Sequence, residues 1–303
     1  MKKVLVCNPI AEEGIKMMED AGLQVDQKFD MTPEELTDII PPYHGLIVRG
    51  STKVRVPTLD AAENLEAIGR PGIGLDNIDV DYAKDKGISV YNTPLATTIS
   101  VAELVLAHMF SAYRNIVAGT NSLREGKWIK KQLKSNEIFG KTLGIIGYGN
   151  IGHEVATRAD ALGMKVIAYD VVDVEKPEPA KMVDLDTIIR ESDVITLHVP
   201  HIDATHHLLS TEEFKNMKEN ALLVDCSRGG VVDEEALYHA LAEGEIKFAS
   251  KDVFAEEPPG DNPLLTLDNF HATPHIGGQT WEGQARAGTQ AAEQVIAELK
   301  KRG

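Results

Sequence analysis

The stretch "TLGIIGYGNIGHEVATRADALGMKVIAYD", Thr142–Asp170, constrains the fold more than any other part of the chain. Its apolar start reads as a buried strand, its glycines as a tight turn, and its middle as a helix. "KVIAYD" then reads as a second strand that ends on an acid. Strand, helix and strand in that order make a βαβ unit, and a parallel sheet of such units is covered by helices on both faces. Gly147, Gly149 and Gly152 satisfy G-x-G-x-x-G where strand passes into helix. The first glycine allows the turn, the second lets a pyrophosphate approach the backbone, and the third seats the helix on the strand. The helix N-terminus offers free N–H groups and partial positive charge to phosphate. Asp170 follows at the offset of about 20 residues at which an acid accepts ribose hydroxyls. "VVDVE" comes next, with no Arg or Lys to take a 2′-phosphate, so NAD is expected rather than NADP.

Such a fingerprint ordinarily opens its domain, yet here it begins at Thr142 of a 303-residue chain. A chain of this length predicts two domains at roughly 100–200 residues each. The leading part alternates strand-like "KKVLVC", "LQVDQKF", "GLIVR", "LEAIGRPGIG" and "GISVYN" with helical "EEGIKMMEDAG", "TPEELTDII" and "DVDYAKDKG". It is an α/β domain in its own right. Residues 98–124 form the longest apolar-periodic stretch and predict one long helix, placed to bridge domains or to meet a second subunit. Beyond the fingerprint the alternation resumes through "DVITLHVP", "ALLVDCS", "IKFASKDV" and "FHATPH". Past Gly277 a solitary helix has no strand beside it, so it is expected to return to the first half. The expected architecture is two Rossmann-like, doubly wound parallel-sheet domains. Residues 1–97 begin the substrate-binding domain, 98–277 form an inserted nucleotide domain, and 278–303 rejoin the first.

The formal net charge of −16 argues against nucleic acid or an anionic membrane as partner, so an anionic substrate must be held by local cations. No apolar run approaches the ~20 residues of a membrane span. "MKKVLVCNPIAEEG" reads as a strand and not as a signal peptide. Cys7 and Cys226 lie in separate apolar runs and are read as buried thiols in a reducing cytoplasm. His198, His201, His206 and His207 lie close in sequence, but without a helical i, i+4 pair or a cysteine beside them no metal is expected.

"VDCSRGGVVDEEAL", "DVFAEEPPGDNPL" and "ATPHIGG" each place polar groups at the carboxyl end of a strand, where open α/β sheets bind ligands. They supply a cation in a glycine-flanked loop (Arg228), an acid before prolines (Glu256 or Glu257) and a histidine after proline (His275). Oxidation of a hydroxy acid needs those parts. A base takes the hydroxyl proton, a cation holds the carboxylate and polarises the forming carbonyl, and an acid orients the imidazole and stabilises its charged form.

These segments, with "VRGSTKV", "GRPGIGLDNID", "NTP", "SVAE" and "GKTLGIIGYGNIG", run in order along almost the whole chain. Together they resemble the D-isomer-specific 2-hydroxyacid dehydrogenases, and among them most the 3-phosphoglycerate dehydrogenases. The resemblance implies NAD-dependent oxidation of 3-phosphoglycerate to 3-phosphohydroxypyruvate, a step toward serine, by a cytoplasmic homodimer built on the 98–124 helix. It implies Arg228 as the substrate-binding arginine, Glu257 as the paired acid and His275 as the proton donor and acceptor. Cofactor contacts are implied at Asn150, Ile151, Asp170, Thr205, Ser227 and Asp252, and backbone N–H groups of Ile73 and Gly74 for the substrate carboxylate. Arg49 and Arg70, at the start of two loops, are expected on the substrate phosphate, since a guanidinium fork suits phosphate.

The chain departs from the family pattern at Pro71, where a small alanine is usual, and at Lys251, where an apolar residue is usual. Packing around the nicotinamide is therefore expected to differ. The sequence also ends just after its last helix, so serine feedback through a regulatory tail is not expected. The alternatives are a reductase of D-lactate, glyoxylate or hydroxypyruvate and, from another class, an NAD-sensing corepressor-like binding protein. Glu257 argues against formate dehydrogenase, which carries glutamine there.

Overall fold

The computed structural model describes residues 1–175 and 177–302. It divides into two compact units, one formed by Met1–Thr98 with the segment from Gly278 onward, the other by Ile99–Gly277.

In the first unit the chain runs through β1 (Lys3–Val6), α1 (Glu12–Asp20), β2 (Gln24–Gln27), α2 (Pro33–Ile39), β3 (Gly45–Ile47), α3 (Val56–Ala61), β4 (Ala67–Arg70), α4 (Val80–Asp85) and β5 (Ser89–Asn92). The strands form one parallel sheet in the order β2-β1-β3-β4-β5. β1 and β3 read as unbroken apolar runs because helices cover the sheet on both faces. The sequence sets helix starts locally. Thr32 and Glu35 form a capping box with Pro33 in the first turn of α2, which satisfies backbone donors that would otherwise be orphaned. The strand order reverses between β1 and β3, so a ligand site belongs where the chain leaves those strands, at Asn8 and Arg49.

The second unit begins with α5 (Thr98–Tyr113) and α6 (Ile116–Arg124). The single helix expected over 98–124 is thus two. Asn115 breaks it at a left-handed φ of 52°, and its Nδ2 donates to Lys134 O and Ser135 Oγ at 3.2 and 3.1 Å. Asparagine tolerates that conformation better than most residues. Next come β6 (Thr142–Ile146), α7 (Asn150–Ala161), β7 (Lys165–Tyr169), β8 (Lys181–Met182), α8 (Leu185–Glu191), β9 (Val194–Leu197), α9 (Thr211–Asn216), β10 (Leu222–Asp225), α10 (Glu234–Glu243), β11 (Phe248–Lys251) and β12 (Phe270–Ala272). All strands are parallel, in the order β12-β11-β10-β9-β6-β7-β8. One apolar layer gathers Leu223, Leu237 and Phe214, the other Leu143, Val155 and Met109. The order reverses between β6 and β9, which puts the glycine turn after β6 at the switch point.

α11 (Trp281–Lys301) returns to the first unit. Its Ala291, Ala292, Val295 and Leu299 close a core with Val4, Ile47 and Ala67. It crosses α1 so closely that a Cβ on Gly14 would stand 3.0 Å from Gly288 O. On the sheet beneath, a Cβ on Gly69 would stand 2.9 Å from Val295 Cγ2. Small residues at these points let the helix lie flat on the strands.

Candidate active site

The nucleotide turn is built by close packing. Gly147 has φ +92°, and a Cβ there would lie 2.7 Å from His198 O, at the end of the neighbouring β9. A Cβ on Gly152 would collide with Gly147 O, so α7 sits directly on the turn. A Cβ on Gly149 would meet nothing within 4 Å, which leaves open space over the backbone at the start of α7. No side chain caps α7, and its first N–H groups face that space with the positive end of the helix dipole. Asp170 ties the motif together, accepting from Tyr148 N at 2.7 Å and from Val172 N at 3.2 Å. Turn, bare helix start and acid fit a dinucleotide. Thr205 and Ser227 turn their hydroxyls into the protein, Thr205 to Pro200 O at 2.6 Å and Ser227 to Asp225 Oδ1 at 2.6 Å.

Within the same unit, Glu257 and not Glu256 reaches the histidine. Its Oε2 lies 2.8 Å from His275 Nδ1, and its Oε1 accepts from Phe254 N at 3.1 Å, which fixes the carboxylate from the other side. Both side chains are partly exposed. His275 has a positive φ of 53°. Asp252 imposes it. This buried residue takes Thr273 Oγ1 at 2.5 Å and Ile276 N at 2.8 Å on Oδ1, and Gly277 N at 2.7 Å on Oδ2, while its carbonyl takes His275 N at 2.8 Å. Such over-determination is what holds an uncommon backbone conformation in place. One lone pair of Oδ2 stays available to a further donor.

The arginine loop meets the acid's loop at Gly229. A Cβ there would collide with the carbonyl of Phe254 and stand 2.7 Å from Ala255 N. Only a glycine lets the chain carrying Arg228 lie against the chain carrying Glu257. The Arg228 guanidinium is half-buried, and its Nη1 donates to Ser227 O at 2.7 Å.

In the first unit, two buried asparagines clamp the loop after β3. Asn8 accepts Arg49 N at 2.6 Å and Thr52 Oγ1 at 2.9 Å, and Asn77 donates to Arg49 O at 3.0 Å and Thr52 O at 2.7 Å. The Arg49 side chain is half-buried and has no hydrogen bond or ion pair among the described residues. Burial lowers its pKa from the usual arginine value. Arg70 folds over its own turn, donating to Pro71 O at 3.3 Å, with Nη2 beside Gly50. The Ile73 carbonyl is held by Asn92 Nδ2 at 2.6 Å, while the N–H groups of Ile73 and Gly74 donate to nothing among the described residues.

Residues 106–277, more than half of the chain, match the family model of the NAD-binding domain of D-isomer-specific 2-hydroxyacid dehydrogenases. The chain belongs to that family. A D-3-phosphoglycerate dehydrogenase of Methanocaldococcus jannaschii is 48% identical over 97% of this chain and 57% of its own. A hydroxypyruvate reductase of Thermotoga maritima is 48% identical over 98% of both chains. A solved structure, the TT0316 protein of Thermus thermophilus, is 33% identical with a TM-score of 0.92, covering 99% of this chain and 97% of that one. The chain thus spans little more than half the length of the first of these relatives.

The glycine turn at Gly147–Gly152 lies inside the matched NAD-binding domain. Sequence reasoning did not find the clamps Asn8 and Asn77 or the structural duty of Asp252. Each bonds backbone far away in the chain, and the only local signal was a polar residue in a loop. Three of the four neighbouring histidines meet in space. His201 Nε2 lies 3.0 Å from His206 Nδ1, and His206 stacks on His207 at 4.0 Å. Among the described residues no group of His, Cys, Asp and Glu could hold a metal ion.

Proposed function

We propose that the protein is an NAD-dependent dehydrogenase of D-2-hydroxy acids whose substrate pair is 3-phosphoglycerate and 3-phosphohydroxypyruvate. The observation that carries the reading is the Glu257–His275 contact of 2.8 Å, in the same unit as a turn fit for the dinucleotide. Gly147, Gly149, Asn150, Ile151, Gly152 and Asp170 would hold NAD, with Asp252 offering its remaining lone pair. Bound NAD supplies the acceptor for the hydride lost from the hydroxyl-bearing carbon. His275 uses Nε2 to take the hydroxyl proton, since Nδ1 is committed to Glu257. The carboxylate of Glu257 stabilises the resulting imidazolium and keeps the ring oriented. Arg228 holds the substrate carboxylate and draws charge onto the forming carbonyl oxygen. In the reverse direction the same histidine returns the proton.

The phosphate preference rests on Arg49. A half-buried guanidinium without a carboxylate partner among the described residues, in a chain of net charge −16, is a site for an anion. Arg70 would join it, and the N–H groups of Ile73 and Gly74 would receive the carboxylate. A plain hydroxypyruvate reductase is the second reading, favoured by the 48% identity to the Thermotoga relative of that name.

Steady-state kinetics with NAD and NADP over phosphorylated and plain 2-hydroxy and 2-keto acids tests this. We expect the highest kcat/KM with NAD and the phosphorylated pair, and a selective loss of that preference in Arg49→Ala. Equal losses on both classes would remove Arg49 from phosphate recognition and favour the second reading.

We also propose a cytoplasmic homodimer. Ile116 and Leu123, seven residues apart on α6, are 52% and 60% exposed, and Trp128, shortly past the helix, is 80% exposed, which is apolar surface of the kind that marks an interaction site. Leu123→Glu should shift the mass in light scattering to that of a monomer. An unchanged mass would send the contact elsewhere. Among the described residues no helix is long and apolar enough to cross a membrane, and both cysteines are free buried thiols.

A further inference from the structure

Lys251 is fully buried, at the end of β11 and in register with Asp225 at the end of β10. Its Nζ lies 3.0 Å from Asp225 Oδ2, also fully buried, and 3.6 Å from Glu234 Oε1. A buried ion pair of this kind gives little net stability, since desolvation of both charges offsets their attraction. Apolar or uncharged side chains of similar volume would serve the core as well. What the ammonium holds is therefore the informative point.

Each carboxylate it binds supports a different loop of the site. Asp225 accepts Ser227 N at 3.0 Å and Ser227 Oγ at 2.6 Å, and Ser227 O in turn receives Arg228 Nη1 at 2.7 Å. Glu234, in the first turn of α10, accepts Ala255 N at 2.9 Å and Asn262 Nδ2 at 2.7 Å, which pins the loop that carries Glu257. The backbone of Lys251 serves the third loop. Its carbonyl accepts Thr273 N at 3.0 Å, and the next residue, Asp252, holds the turn of His275. One cation thus links the supports of Arg228 and Glu257 and stands at the root of the His275 turn.

We propose that Lys251 is a positioning residue that sets the spacing of Arg228 and Glu257 through Asp225 and Glu234. The effect on turnover rests on the function proposed above, but the linkage itself does not. With the ammonium gone, nothing joins Asp225 to Glu234, and the loops that they hold are free to separate whether or not Asp225 keeps its charge. Since a misplacement of about 1 Å can cost on the order of 10²-fold in rate, the loss should fall on chemistry and acid binding and not on NADH.

The test compares the parent, Lys251→Met and the double variant Asp225→Asn with Lys251→Met. In Lys251→Met, amide exchange should rise in residues 227–229 and 254–257 but not in α7. KM for the acid should rise and kcat fall, each by about tenfold or more, while the NADH dissociation constant stays near the parent value. The double variant, which leaves no unpaired buried charge at Asp225, should regain the parent melting temperature without regaining kcat. It also serves if the single variant does not fold. Parent-like kcat or parent-like exchange in the double variant overturns the proposal, as does a single variant altered in melting temperature alone. If the parent turns over no 2-hydroxy acid, the functional reading fails, and the amide exchange of the two loops still decides the role of Lys251.

Discussion

His275 owes its position to a buried neighbour, Asp252. Three donors on the side chain of Asp252 and one on its carbonyl leave the Thr273–Gly277 turn a single course, and the imidazole is delivered to Glu257. His275→Ala should lower kcat by roughly 10²–10⁴ while NADH binding, followed by fluorescence, stays near the parent value. A variant with near-parent turnover would dismiss His275 as the proton-transfer group. Arg228, Glu257 and His275 stood out in the sequence because each is beside Gly or Pro after a strand, a context that marks a shaped loop, and the structure pairs the last two. The choice between Glu256 and Glu257 was not legible. Two adjacent acids differ only in the direction the loop turns, and the Phe254 N bond to Glu257 Oε1 sets that direction.

Contacts between loops and helices depend on glycines whose task is to be small. Gly229 allows the arginine loop and the acid loop to touch, backbone to backbone, and no side chain fits there. Gly229→Ala should lower kcat/KM by about 10²-fold and leave NADH affinity intact, because α7 and the nucleotide turn lie elsewhere on the sheet. A loss confined to cofactor affinity would mean that the two loops do not need to touch. Strand–helix alternation and the glycine turn could be read directly, since periodicity and turn chemistry are local. The break at Asn115 could not. The apolar repeat runs through it unchanged, and the force that bends the chain comes from Lys134 and Ser135, about five helical turns away in sequence. β8 was too short to leave a pattern.

Glu298 shows how the whole chain is held, because it bonds the returning helix to the first unit's edge strand. Tyr91 OH donates to it at 2.9 Å and Ser89 Oγ at 3.0 Å, with Arg302 and Lys301 adding charge. Tyr91 first, then Ser89, Arg302 and Lys301, lower its pKa from 4.5 to about 2. The sign follows. A carboxylate bound more firmly as the anion in the folded state contributes stability above about pH 4.5 and loses it as pH falls toward 2. Melting temperature should drop over that window, and Glu298→Gln should flatten the drop. An unchanged acid limb in the variant would assign acid sensitivity to other carboxylates. The absence of a strand beside the last helix was readable. Its resting place on Gly45 and Gly69 was not, because close approach between distant elements leaves no local trace.

The return of α11 has a consequence for the order in which the protein matures. As the ribosome extends the chain, the five strands of the first unit emerge early but lack the helix that supplies Ala291, Ala292, Val295 and Leu299 to their sheet. The intervening unit needs nothing from that helix for its own cores, so it can form first and bind NADH while its host is still open on one face. A nascent chain stopped at Gly277 should therefore capture the cofactor yet cling to hydrophobic dyes and chaperones, and shed the dyes and chaperones only when the last turns arrive. If such a truncated chain proved as dye-inert as the finished protein, the first unit would close by another route.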